Sequence, residues 1–216
     1  MSSSPKRATD VVCVIDDDVN MRGALDSLLR SAGYQVETFS HPDEFLASHV
    51  LDTATCMVLD VRMGHANGLD FQQDLQKSDA RIPVILISGY GDVPMTVRGM
   101  RAGAVTFLSK PFSDDELLVA IGEAVELHSA RSLEEQESAS LRARYECLTR
   151  RERDVLGLVI AGLMNKQVAS RLELSEITVK IHRGNLMRKM QAQSLADLVR
   201  MGESLGVRAS ASRFSR

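Results

Sequence analysis

"VVCVIDDDVN" (residues 11–20) sets five apolar residues, four of them β-branched, directly against three aspartates. The run has strand length and lacks polar alternation, as a strand covered on both faces of a parallel sheet does. Adjacent carboxylates repel one another, and each resists losing water. A positive partner is therefore required nearby, most simply a metal ion. Asp16 and Asp17, at the strand's end, suit that partner. Asp18 stands where a helix would begin and reads as its cap.

The same pattern recurs outward from this stretch. "CMVLDV" (56–61), "IPVILIS" (82–88) and "AVTFLS" (104–109) are near-continuous apolar runs, and "QVETFS" (35–40) alternates as an edge strand would. Between them lie "NMRGALDSLLRSAG", "DEFLASHV", "GLDFQQDLQKS" and "PMTVRGMRAG", which carry helical spacing, several ending at glycine. Five β-α units predict an α/β doubly wound five-stranded parallel sheet. Ligands of such sheets bind outside the carboxyl ends of the strands. The polar residues at those ends are Asp16 and Asp17, Asp60, Ser88 and Lys110.

Those side chains have separable tasks. Asp16, Asp17 and Asp60 can hold a hard divalent cation, with magnesium (Mg2+) the expected ion. A carboxylate beside a metal can also attack a phosphoryl group, and Asp60, alone at the end of the central run, is the candidate nucleophile. Lys110 would then pair with one phosphoryl oxygen and the Ser88 hydroxyl would bond another. Lys110 can equally serve to neutralise the acidic cluster at rest.

Composition narrows the class. A hydrophobic content of 44% and a charged content of 25% are those of an ordinary globular chain, which excludes general disorder. No stretch has the length of a membrane span, and "MSSSPKRATD" lacks the apolar core of a secretory signal, so a cytoplasmic protein with no membrane partner is expected. Cys13, Cys56 and Cys147 are odd in number and widely spaced, and read as buried thiols rather than a disulfide or zinc framework. The net charge of −3 is unevenly shared: from Arg150 onward 13 Lys and Arg face 6 Asp and Glu. An acidic part followed by a basic one points to a polyanion as the second part's partner. Between them, Ser113 and Glu116 form a capping box that opens the last helix of the first part. The residues from there to about Tyr145 read as that helix continuing into a helical linker, with a flexible polar tether as the alternative.

Taken together, "DD" (Asp16, Asp17), "LDVRM" around Asp60, "ISGYGD" around Ser88 and "FLSKPF" around Lys110 resemble the receiver domain of bacterial two-component response regulators. The resemblance implies a flavodoxin-like fold over 9–126 and phosphorylation of Asp60 by a cognate histidine kinase. It also implies magnesium on Asp17, Asp60 and the Arg62 carbonyl, beside the Asp16 already read as a ligand, Phe107 as an aromatic switch, and a cis Lys110–Pro111 bond. One departure stands out: where the family commonly has proline after "LDVRM", this chain reads "GHANG" (64–68). Glycine frees the φ angle that proline fixes, so a more mobile loop is expected. A competing local resemblance is that of "DDDV" (16–19) to the D-x-D-x-[TV] opening of haloacid-dehalogenase-like phosphatases. There Asp16 would be the nucleophile and Asp18 the acid, followed by Ser88, Lys110 and Asp114 or Asp115. That reading leaves Asp60 without a task and the basic half unexplained.

The basic half, "LTRRERDVLGLVIAGLMNKQVASRLELSEITVKIHRGNLMRKMQAQSLADLVRM" (148–201), reads as four helices. Thr149 and Glu152 form a capping box, Gly162 ends the first helix, and a helix from about Glu176 to Met190 follows a tight turn. Two short helices and a tight turn make a helix-turn-helix. At about 100° per residue, Val179, Leu186 and Met190 share a core face. Ile181 and Arg188 lie nearly opposite, flanked by Lys180, Gly184 and Asn185, and His182 leans toward the core. Ile181 could touch a thymine methyl group. "LTRRERDVL", "GLMNKQVA" and "SEITVKIHRGNLMRKM" resemble the LuxR-type DNA-binding domain of the NarL/FixJ class. By that resemblance Lys166 and Thr178 touch phosphates while Lys180, Ile181, Gly184 and Arg188 face the major groove.

The expected arrangement is thus a receiver (9–126), a helical linker (127–146) and a small all-α four-helix helix-turn-helix domain (147–208). The expected function is a response regulator transcription factor, not an enzyme beyond slow self-dephosphorylation. Its expected partners are the kinase, double-stranded promoter DNA, RNA polymerase and a second copy, on phosphorylation or DNA binding. Activation is the expected sign of control.

Overall fold

Each long apolar run of the first part is a strand, and the strands lie parallel. In the computed structural model, which describes residues 10–64, 66–78, 80–89 and 93–207, the strands are β1 (Val11–Ile15), β2 (Gln35–Phe39), β3 (Ala54–Asp60), β6 (Val84–Ser88) and β7 (Thr106–Ser109). They form one sheet in the order β2-β1-β3-β6-β7, with every neighbouring pair parallel. β4 (Arg62–Met63) and β5 (Ala66–Asn67) form a small antiparallel hairpin directly after β3. The expected domain limits 9 and 208, His65 of "GHANG" and residues 90–92 of "ISGYGD" lie outside the described residues.

Successive residues of each strand enter opposite cores, so no strand of the interior needs polar alternation. Val12, Val14, Val58, Ile85 and Ile87 pack on one face with Leu25 and Leu29 of α1 (Val19–Ser31) and Leu117 and Ile121 of α5 (Asp114–Glu146). Cys13, Ile15, Met57, Leu59 and Leu86 pack on the other with Phe45 of α2 (Pro42–Leu46), Leu69 and Leu75 of α3 (Gly68–Lys77) and Met95 of α4 (Val93–Arg101). Burying each such aliphatic side chain stabilises by roughly 1.5–3 kcal/mol. Helix α4 lies so close to β6 that a Cβ on Gly99 would stand 2.3 Å from Leu86 Cδ1.

Two compact units divide between Ser132 and Leu133, and α5 is a single helix through that division. In the second unit, α6 (Arg150–Ile160), α7 (Asn165–Leu172), α8 (Glu176–Met190) and α9 (Leu195–Ser204) surround Val155, Leu156, Val168, Val179, Leu186, Met190 and Leu198. Thr149 and Glu152 cap α6 reciprocally, and Gly162, at φ +84, lies just beyond its end. Glu173, at φ 55, closes α7, and the Ser175 side chain caps α8 by accepting from the Thr178 N–H.

Several expectations need correction. "DEFLASHV" is not one helix: α2 stops at Leu46 and a 3-10 turn follows at His49–Asp52. Ser48 breaks it, because its hydroxyl donates to the Phe45 carbonyl at 2.6 Å and also accepts from the Val50 N–H. The fourth strand begins at Val84 rather than Ile82, since Pro83 has no N–H for a ladder. Cys13 and Cys56 are buried, but Cys147 is exposed. Burial, with Glu37 adding to it, pushes the Cys13 thiol up to about 12. No described helix is long and apolar enough to cross a membrane.

Candidate functional site

Parallel pairing of β1, β3, β6 and β7 brings their carboxyl ends to one edge, and the sequence places a polar residue at each. Asp16 is fully buried, Asp60 is 7% exposed and Ser88 is fully buried, while Asp17 is exposed. One oxygen from each of Asp16, Asp17 and Asp60 lies within 4.8 Å of the others. Lys110 reaches into this group from beyond β7: its ammonium donates to Asp16 Oδ2 at 2.7 Å and to Asp60 Oδ2 at 3.0 Å. The lysine is positioned by its own N–H, which donates to the Ser88 carbonyl at 2.8 Å, and its bond to Pro111 is cis.

The charges do not cancel. Three carboxylates share one ammonium, which leaves a cluster of hard oxygen donors with an excess of negative charge. That donor set fits a hard divalent cation such as magnesium. Burial raises the Asp60 pKa and the Asp16 charge adds to this, against the opposing hydrogen bonds from Lys110 and the Arg62 N–H. Burial works against the Lys110 charge, but its bonds to Asp16 and Asp60 outweigh this and its pKa is raised. The two shifts have different dominant causes, burial for Asp60 and the bonds to its two carboxylate partners for Lys110.

The other predicted residues fall around this cluster. Asp18 caps α1 by accepting from the Asn20 N–H at 2.8 Å, while its own N–H donates to Asp16 Oδ1 at 2.9 Å. Arg62 opens the β4–β5 hairpin and places its N–H 3.2 Å from Asp60 Oδ1. Phe107 is half-buried in β7 and packs against the core beneath α3 and α4. The phosphatase-like residues do not assemble: Asp18 is committed to its cap, and Asp114 and Asp115 lie in the first turn of α5. The fifth position of that pattern, which calls for Thr or Val, is Asn20.

Two glycines belong to the site that spacing alone did not single out. Gly64 has φ +50 and faces Asp17, whose Oδ2 would lie 3.7 Å from a Cβ there. Gly68 starts α3 with its Cα against the Asp60 carbonyl, and its N–H donates to the Val61 carbonyl at 2.9 Å. The signal in sequence was "GHANG" itself, already marked by the glycine that stands where the family commonly has proline.

In the second unit the candidate DNA-facing residues occupy α7 and α8. Lys166 is exposed in the first turn of α7, and Lys180, Ile181, Gly184 and Arg188 are exposed along α8. Asn185 is half-buried and its side-chain oxygen accepts from Arg188 at 3.2 Å. Thr178 is half-buried, with its hydroxyl 2.8 Å from Ser175 Oγ. His182 is half-buried, and Val179, Leu186 and Met190 are fully buried. Arg183 donates to Asn165 Oδ1 at 2.9 Å and joins α8 to the start of α7. Beneath them Lys189 donates to the buried Glu152 carboxylate at 2.7 Å and ties α8 to α6.

Comparison with known proteins agrees with both halves of this geometry. Residues 12–122 match the response regulator receiver domain and residues 146–202 match the bacterial regulatory proteins of the luxR family. Nodulation protein W of Bradyrhizobium diazoefficiens is 50% identical over 92% of this chain and 88% of its own length. Transcriptional regulatory protein FixJ of the same species is 38% identical over 91% of this chain and 96% of its own. The solved structure of response regulator StyR superposes with a TM-score of 0.83 at 44% identity, covering 90% of this chain and 98% of that one. With a receiver sheet, an acidic strand-end cluster and a luxR-type helix-turn-helix in one chain, this protein is a response regulator transcription factor of the NarL/FixJ class.

Proposed function

We propose that Asp60 is the phosphoacceptor through which a histidine kinase controls DNA binding by the second unit. The observation that carries this reading is the Lys110 ammonium held at once by Asp16 and Asp60, at 2.7 and 3.0 Å. A resting ion pair in that place becomes a phosphoryl clamp without moving far. An Asp60 oxygen attacks phosphorus, the bond from phosphorus to the histidine nitrogen breaks, and the imidazole leaves with its electron pair. Lys110 then pairs with a phosphoryl oxygen, and the buried Ser88 hydroxyl donates to another. Magnesium, when held by Asp16, Asp17, Asp60 and the Arg62 carbonyl, supplies positive charge for the phosphoryl oxygens. The chain is a phosphoacceptor in this reading rather than an enzyme.

The phosphorylated receiver favours a dimerising state, since a modification shifts an equilibrium only through differential stability of its states. Two DNA-binding units on one dimer then engage two half-sites and gain affinity by effective concentration. Receiver, linker and DNA-binding unit occupy 9–126, 127–146 and 147–208 in this proposal. Lys166 and Thr178 contact phosphates, Phe107 reports the phosphorylated state, and activation through RNA polymerase is the outcome.

Intact mass after incubation with Mg2+ and acetyl phosphate tests the chemistry. One added phosphoryl group is expected on the wild type and none on Asp60→Asn, with Asp16→Asn and Asp17→Asn slowed. A phosphoryl group retained in Asp60→Asn but lost in Asp16→Asn would overturn the assignment.

A further inference from the structure

We propose that Ile177 is a second base-reading residue beside Ile181, and that the two side chains take the methyl groups of two thymines in each half-site. The proposal rests on the DNA-binding reading above and names what that face recognises.

Ile177 is 72% exposed and Ile181 is 59% exposed, although each lies on a helix with a well-filled core face. Positions i and i+4 stand one above the other on a helix, and Val179, Leu186 and Met190, all fully buried, occupy the opposite side. Neither isoleucine therefore contributes to the core. A single exposed apolar residue needs no explanation. Two β-branched residues at adjacent turns are different, because they are poorer helix formers than the polar alternatives and gain nothing from burial in the free unit.

The surroundings choose the occupant. Lys180, Gly184 and Arg188 are exposed on the same stripe, and Lys166 is exposed on α7. On α8 the apolar pair lies with Lys180 and Arg188 against one acid, Glu176, and this excess of positive charge suits a polyanion that also carries apolar groups. Duplex DNA has such groups in its major groove, and on the base edges they are the thymine C5-methyls. A Cβ on Gly184 would meet nothing within 4 Å, so packing inside the unit does not require glycine there. Its missing side chain opens α8 to close approach one turn beyond Ile181. One turn from Ile177 to Ile181 advances about 6 Å, close to two base-pair steps of about 3.4 Å. The thymines are therefore expected about two steps apart.

The test is in vitro selection from a randomised duplex library with the full-length protein, before and after treatment with acetyl phosphate. Wild type, Ile177→Ser, Ile181→Ser and Ile177→Val are compared. The wild type is expected to select thymine at two such positions, Ile177→Ser to lose one preference alone, and Ile177→Val to keep both. Deoxyuridine in place of the thymine assigned to Ile177 should weaken wild-type binding about fourfold, the loss of one methyl contact, and leave Ile177→Ser unaffected. A consensus that is unchanged in Ile177→Ser, or a wild type indifferent to deoxyuridine, overturns the role of Ile177 and leaves DNA binding standing. Absence of any consensus from the wild type in both states overturns the DNA-binding reading and this proposal with it.

Discussion

Gly68 approaches the backbone of Asp60 so closely that a Cβ at position 68 would lie 2.2 Å from the Asp60 carbonyl oxygen. No rotamer relieves such a contact, because the backbone fixes where a Cβ stands and its partner here is a backbone oxygen. The start of α3 is thereby packed directly on the residue whose carboxylate carries the proposed chemistry. Gly68→Ala is expected to destabilise the first unit by about 1–3 kcal/mol, as overpacking does. It should also slow acetyl phosphate uptake by displacing Asp60. Urea unfolding together with intact mass checks both, and wild-type behaviour in each would show that the loop yields freely.

Gly64 carries φ +50, a left-handed angle that proline at about −65° cannot adopt. Restoring the proline common in this family would therefore harm this particular chain. Gly64→Pro is expected to cost about 1–3 kcal/mol and to weaken Mg2+ binding, because the loop lies over Asp17. Gly64→Asn, which tolerates the left-handed region, should stay near wild type. Thermal unfolding with and without Mg2+ reads both effects. At ten times its dissociation constant the ion should add about 1.4 kcal/mol to the wild type, and clearly less to Asp17→Asn.

Gln72, 1% exposed on α3, donates from its Nε2 to the Ala102 carbonyl at 3.0 Å and the Gly99 carbonyl at 3.3 Å. It acts as a cap for the end of α4 supplied by a neighbouring helix. Its Oε1 has no hydrogen-bond partner, so the amide is held for its two donors. Gln72→Leu should cost about 1–3 kcal/mol, chiefly through the Ala102 carbonyl, since the Gly99 carbonyl keeps the bond it accepts from the Ala104 N–H. Gln72→Glu should depend on pH. A buried carboxylate without donors has a raised pKa, so its stability is present below about pH 4.3, the unfolded value, and is lost as pH rises through the folded one. Equal stability of Gln72→Glu at pH 4 and pH 8, relative to wild type, would contradict this account.

Glu152 titrates in the opposite sense. Burial alone would raise its pKa, yet the hydrogen bonds from Lys189 and Thr149 outweigh it and the pKa is lowered. A lowered carboxylate contributes stability above the unfolded pKa of about 4.3, and that stability is lost as pH falls through the folded value. Glu152→Gln should loosen α6 and α8 by about 1–3 kcal/mol at pH 7, because Lys189 keeps a partly buried charge without a counterion. The difference from wild type should shrink below about pH 4. Hydrogen exchange of the α6 and α8 amides measures this locally, and a difference independent of pH would remove the ion pair from the explanation.

The division of labour between sequence and fold follows from range. The sheet, the helix-turn-helix, the capping boxes at Ser113 and Thr149, and the cap at Asp18 were legible because each is written in local periodicity or spacing of a few residues. The set Asp16, Asp17, Asp60, Ser88 and Lys110 was legible because parallel strands bring their carboxyl ends together, so one topological rule assembles residues nearly a hundred positions apart. What spacing could not supply were contacts between backbone atoms and distant side chains. The β4–β5 hairpin, the approach of Gly68 to Asp60, the Gln72 clamp on α4 and the Lys189–Glu152 pair exist only once the elements are packed. Exposure belongs with them. Helical periodicity already set Leu186 on the core face of α8, whereas Cys147, between two helices and outside any such period, was left exposed by the packing alone.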